Sequence, residues 1–193
     1  MLVSIFGQTN FIDILIVILL CRICYIAAKT GLNIEIFKFF GVVFTIFISL
    51  HYYANLSDMI QRKFFYEQMP LMFFDFLIFI LLILVGCLLF ATIRSFFYKF
   101  IKLETMPVIN NFGGLILGIL RGYFAVGLLV FSLSISNVSY LSSSVKHSYL
   151  GSRAFLISPN TYYWIWSNIY SKFSTKEKPN PVINEVIDMF NRR

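Results

Sequence analysis

Residues 71–93 read LMFFDFLIFILLILVGCLLFATI, with Asp75 as the only charge. A helix that crosses the roughly 30 Å hydrocarbon core of a bilayer needs about 20 apolar residues at 1.5 Å each, and this run has that length. A strand of a membrane barrel would instead alternate apolar and polar residues over about ten positions, and there is no such alternation here. Working outward, three more runs share this character. One covers about residues 11–28 and ends at Lys29-Thr30-Gly31. Another covers 34–53, opening with Glu35 and Lys38 and closing on His51-Tyr52-Tyr53. The last covers 112–133, with Arg121 its only charge. Polar connectors separate them. Asp58, Arg62, Lys63 and Glu67 precede Pro70, which suits a first helical position. Arg94, Lys99, Lys102 and Glu104 precede Pro107 and Asn110-Asn111. The expected fold is all-α: a polytopic bundle of about four transmembrane helices over residues 1–141, with a basic, aromatic-rich tail over 142–193.

Composition agrees. Of 193 residues, 59% are hydrophobic and 13% charged, with a mean hydropathy of +0.79; a soluble domain carries charge on about a quarter of its positions. A soluble enzyme is therefore not expected. The net charge of +7 arises from 16 Lys and Arg against 9 Asp and Glu. These cations flank the apolar runs, where they anchor to anionic headgroups and set topology, and no nucleic-acid-binding module is present. Cys21 and Cys24 form a C-x-x-C inside an apolar helix without βαβ context, so they and Cys87 read as small buried hydrophobes. A cleaved leader is not expected either, because no Lys or Arg precedes Phe11, Asp13 opens the run and Arg22 interrupts it.

In the tail, Tyr162, Tyr163, Trp164, Trp166 and Tyr170 crowd one stretch. Two readings stay open for it: an interfacial helix at headgroup level, or a helix packed over the bundle's own loops. Lys176 to Pro181 is a polar hinge. Asn180-Pro181 reads as an N-cap followed by proline, and Val182, Ile183, Val186, Ile187 and Phe190 line one face of a last short helix. Lys29, Lys38, Arg94, Lys99 and Lys102 fall on one side of the membrane, against Arg62, Lys63, Lys146 and Arg153 on the other. Five against four favours both termini outside the cytoplasm.

Gly114, Gly118 and Gly122 recur every fourth residue, with Gly113 and Gly127 beside them. Such a row lets another backbone approach closely, either within the bundle or across a homo-oligomer seam. Intramembrane charges cost about 2.5–3.5 kcal/mol at a helix centre on insertion scales, so each needs a partner, a cavity or an escape to the interface. Asp13 suits the N-terminus of its own helix behind Asn10. Asp75 is similar but deeper, and Arg22 can snorkel. Arg121 lies about 14 Å inside its helix, counted from Phe112 at 1.5 Å per residue. Glu35 is its nearest plausible partner, and snorkelling is the other possibility. His51 and His147 stand apart, and no H-E-x-x-H, G-x-S-x-G or phosphate-cradling loop occurs. No catalytic residue, cofactor or metal is expected.

The order of these features resembles the colicin V production protein family of bacterial inner-membrane proteins. Asn10-Phe11-Ile12-Asp13 is similar to the Asn-x-x-Asp that opens its first helix. Lys29-Thr30-Gly31 with Glu35 is similar to its first loop, although the glycine here follows Thr30 and not a basic residue. His51-Tyr52-Tyr53-Ala54 matches its aromatic closing of helix two, and Gly114 to Gly122 with Arg121 its glycine-and-arginine fourth helix. The likeness covers about residues 8–140. It implies a four-helix membrane domain needed for production or export of a peptide toxin in some bacteria, and a broader role in envelope upkeep. Some relatives carry a serine protease after helix four. This tail of about 50 residues has no Ser/His/Asp constellation, so that activity does not carry over. The leading expectation is a non-enzymatic membrane factor that packs with itself or with envelope partners. The alternative is an oligomeric transporter or channel whose charges line a polar path. Charges converging inside the bundle favour a pathway, whereas charges gathered near the two interfaces favour a structural role.

Overall fold

An unpaired backbone group in hydrocarbon has no water to bond, so each apolar run closes its own hydrogen bonds as a helix. The computed structural model describes residues 10–64, 71–100, 107–136, 138–174 and 177–192. Glu67, Pro70, Lys102, Glu104 and Lys176 lie outside the described residues. Four helices are long and apolar enough to cross a membrane: α1 (Phe11–Thr30), α2 (Leu32–Phe64), α3 (Leu71–Phe100) and α4 (Pro107–Ile135).

Three of the helices outrun their expected bounds. Helix α2 continues past Tyr53 through Asp58, Arg62 and Lys63, so the residues read as a connector form its last turns. Two cations in the final turn suit the negative end of the helix dipole. Helix α3 continues from Ile93 to Phe100. Helix α4 starts at Pro107, a residue fitted to a first helical position, which draws Asn110 and Asn111 into the helix. The 33 residues of α2 reach about 50 Å at 1.5 Å each, well beyond the roughly 30 Å core.

Helices α2 and α4 are central. Helix α4 packs on α1 and α2, and α2 packs on α3, while α1 with α2 and α3 with α4 meet only lightly. The cross-section therefore runs α1–α4–α2–α3. The outer helices turn apolar side chains outward, Ile14, Val17 and Ile18 on α1 and Leu81, Leu84, Val85 and Leu88 on α3, where lipid would cover them. Cys21 and Cys87 are also exposed there, not buried as expected.

The tail is helical as well. It comprises α5 (Ser139–His147), α6 (Tyr149–Ala154), α7 (Ile157–Ile165), a π-helical stretch at Trp166–Tyr170, α8 (Ser171–Phe173) and α9 (Val182–Arg192). The boundary expected after residue 141 falls inside α5. The tail's core is also continuous with the bundle's: Phe131 of α4 stacks on Phe155, and Phe155 stacks on Phe190 of α9 at 3.9 Å between centroids. Phe155, Tyr162 and Ile183 are fully buried with Ile46, Leu50, Tyr53, Phe79 and Val130. The tail forms a cap over the bundle end made by the start of α1 and the later turns of α2.

Candidate functional site

The end of the bundle away from the tail is built around one turn. Gly31 joins α1 to α2 at φ +79° and ψ 169°, a conformation that side chains other than glycine's rarely adopt. The Asn110 side chain of α4 fills the space a Cβ would need there. Its Oδ1 accepts the Leu32 N–H at 2.7 Å, meeting one of the orphan donors that start α2. The turn sets Glu35 in the first turn of α2, with its side chain fully buried. Thr30 Oγ1 donates to Glu35 Oε1 at 2.7 Å, and Lys38 Nζ donates to the same oxygen at 2.6 Å. Arg121 Nε of α4 lies 3.2 Å from Oε2, as an ion-pair contact and not an aligned hydrogen bond. Three helices thus share one carboxylate. A buried charge pair is costly to desolvate, and the additional donors offset that cost.

The glycine row holds α4 against α1. A Cβ on Gly114 would lie 2.8 Å from the Gly31 carbonyl carbon and 2.9 Å from the Ala27 oxygen. One on Gly118 would overlap the Ala27 Cβ, and one on Gly122 would meet Leu20 at 2.9 Å. The row faces a helix of the same chain, so close helix contact serves the bundle and brings Arg121 within reach of Glu35.

At the tail end, Asp13 is buried and does two jobs. Its Oδ2 accepts the Asn10 N–H at 3.2 Å at the start of α1. Its Oδ1 accepts the Ser148 hydroxyl at 2.7 Å and the Leu150 N–H at 2.8 Å, a carboxylate placed at the first turn of α6. Asn10 Nδ2 donates to the Ser144 carbonyl at 2.6 Å. The residues that open α1 therefore also fasten α5 and α6.

Across the same end, His51 forms a second fastening. Its imidazole stacks against Phe47 and Trp166. Nδ1 lies 3.0 Å from the Tyr162 hydroxyl, and Nε2 lies 3.1 Å from Glu177 Oε2. The Asn180 N–H donates to the Tyr162 oxygen at 3.0 Å. An ionised Glu177 can only accept, so Nε2 of a neutral imidazole carries the proton toward it and Nδ1 accepts the phenol proton of Tyr162. Asn180 Nδ2 donates to the Leu50 carbonyl at 2.7 Å, and Asn180 Oδ1 accepts the Val182 N–H at 3.1 Å, capping α9 as its sequence suggests. Burial pushes the Tyr162 phenol up to about 12, which keeps it a donor. The aromatic stretch divides: Tyr162 and Trp166 are buried over His51, Tyr163 and Tyr170 are half-buried, and Trp164 is 61% exposed. Tyr162 and Trp166 are therefore tail-to-bundle contacts, not headgroup anchors, because His51 offers them a polar partner and a ring to stack on.

The Tyr170 hydroxyl and His51 hold the Glu177 carboxyl below its ordinary value of 4.5. Its proton is bound more weakly in the folded state, so the contact stabilises above that ordinary value and is lost as pH falls through the lowered one. In a Trp164→Phe background, Trp166 emission should hold as pH falls from 7 to 4.5 and redden only below it, since the Glu177 carboxyl is held under its ordinary value. Glu177→Gln should give the reddened emission at pH 7. An emission independent of both changes would contradict this fastening.

Arg22 is exposed on α1 and makes no ion pair with a described residue. Asp75, half-buried near the start of α3, has its Oδ1 buried without a hydrogen-bond partner among the described residues. Asp13 and Asp75 thus sit toward the tail end and Glu35 and Lys38 toward the other, where Arg121 reaches Glu35 from midway along α4. Between them Thr45 and Ser49 bond carbonyls of their own helix, at 2.7 Å and 2.6 Å. No three His, Cys, Asp or Glu residues gather as a metal would require among the described residues. Lys38, Thr30 and Asn110 at one end and Ser148 and Glu177 at the other make helix-joining contacts that the sequence does not reveal. A histidine inside an apolar run was the available signal for the tail fastening.

Fold and fastenings together define a multi-pass α-helical membrane protein. The family model described as colicin V production protein matches residues 12–156, well over half of the chain, and the protein belongs to that family. Membership supports a role in colicin V production. The match takes in all four spans, the glycine row, Asp13, Glu35, Asp75 and Arg121, and ends before the aromatic stretch. No curated protein and no solved structure matches the chain.

Proposed function

We propose that the protein is a non-enzymatic factor for colicin V production or export and envelope upkeep. It acts from the bacterial inner membrane with both termini outside the cytoplasm, and its capped end meets envelope partners. The observation that carries this reading is the use of charge. Asp13, Glu35, Arg121 and Glu177 are on contacts that join helices, Arg121 from midway along α4, and the hydroxyls of Thr45 and Ser49 are bonded within their own helix. That pattern suits a rigid platform better than a polar path through one chain. Family membership supplies the toxin, and the gathering of Lys38, Arg121 and Arg22 toward one end supports placing that end in the cytoplasm. A strain carrying the colicin V genes but lacking its own family member provides the test. Expression of this protein should restore toxin to the medium, and a reporter active only in the cytoplasm, fused after Arg193, should stay silent. Normal membrane levels without restored toxin would refute the role, and a bright reporter would refute the topology.

A further inference from the structure

A cavity of about 520 Å³ opens at the tail end, between the last turns of α2, the start of α3, the end of α4, and helices α5 and α9 of the cap. That volume falls within the range of small-ligand sites, roughly 300–1,000 Å³. Three carboxylates line it, Asp58, Asp75 and Glu185, against one lysine, Lys146. None of the three makes an ion pair with a described residue. Tyr53 also lines the cavity; its surface is 0% exposed, and its hydroxyl has no partner among the described residues. Asp75 Oδ1 has no aligned hydrogen bond among the described residues, with the Ser57 hydroxyl of α2 beside its carboxyl. A fully buried hydroxyl left without a partner beside a carboxylate is uncommon in a folded protein, and it points to something that binds there. The carboxylates do not converge as metal ligands would. The opposite wall, with Val186, Met189 and Phe190, is apolar.

We propose that this cavity binds a primary ammonium group carried on an apolar chain. An ammonium is a compact cation with three donors, enough to meet Asp75 Oδ1, the Tyr53 oxygen and one further carboxylate. The adjoining methylenes lie along the α9 face. Two sources share this chemistry: the headgroup of an ethanolamine phospholipid, whose phosphate Lys146 can receive, and a free alkyl amine.

The test uses the full chain in phosphatidylcholine nanodiscs, with thermal unfolding as the readout. One arm adds n-hexylamine, with n-hexanol as control; the other replaces part of the lipid with phosphatidylethanolamine. At least one arm should raise the melting temperature saturably by several degrees, and the responding arm identifies the source. The hexanol control should do nothing. Asp75→Asn is near-isosteric and should remove the response. Should that variant not fold, Glu185→Gln on the exposed side of α9 decides, with apparent affinity weakened several-fold. Absence of a saturable rise in both arms, an equal rise with hexanol, or an undiminished response in the variants would overturn the site.

Discussion

Glu35→Ala should cost the protein about 3–5 kcal/mol of stability in mild detergent, the loss expected when one side of a buried charge pair is removed. Glu35 is the single anion among Thr30, Lys38 and Arg121, so its loss strands two cations at the junction of three helices. Arg121→Ala should be milder, below that range of about 3–5 kcal/mol, because Glu35 keeps Lys38 and Thr30. Denaturant or thermal unfolding of the three proteins measures the order. A Glu35→Ala loss smaller than that of Arg121→Ala would contradict the shared-carboxylate arrangement.

The second large effect is Gly114→Ala, a change of one methyl. That methyl would lie 2.8 Å from the carbonyl carbon of Gly31 and 2.9 Å from the oxygen of Ala27. Both are backbone atoms, so no rotamer can relieve the overlap and α4 must move away from α1. Over-packing costs about 1–3 kcal/mol where side chains can shift, and a rigid backbone places this site at or above the top of that range. The same displacement pulls Asn110 from Leu32 and Arg121 from Glu35. Gly118→Leu should act in the same way against Ala27, whereas Ile116→Ala on the 61% exposed face should be close to silent. Monodisperse yield in mild detergent is the measurement, and equal yields for Gly114→Ala and Ile116→Ala would place the row against lipid.

The spans were legible because the bilayer demands a length and an apolar composition that residues 71–93 meet without ambiguity. Their ends were not, since Asp58, Arg62 and Lys63 can continue a helix in water as readily as they can leave one. The Arg121–Glu35 contact could be read from depth and facing ends, because a buried guanidinium restricts its own partners. Lys38 and Thr30 could not, as their side chains reach Glu35 only through the Gly31 turn. Asp13 was read correctly as a helix-start carboxylate, but its hold on Ser148 and Leu150 spans more than 130 residues of chain and leaves no local signal. The aromatic stretch left two readings open for a related reason. Composition places Tyr and Trp at a membrane interface, and only the position of His51 turns Tyr162 and Trp166 inward.

The account rests on charges that join helices, and the most direct test is a double-mutant cycle on Glu35→Gln and Arg121→Gln, read by unfolding in detergent. Groups in direct contact give coupling energies of about 0.5–3 kcal/mol, whereas distant groups add independently. The predicted result is a coupling within that range, with the double variant losing clearly less than the sum of the two single losses. A coupling within error of zero would contradict the clamp.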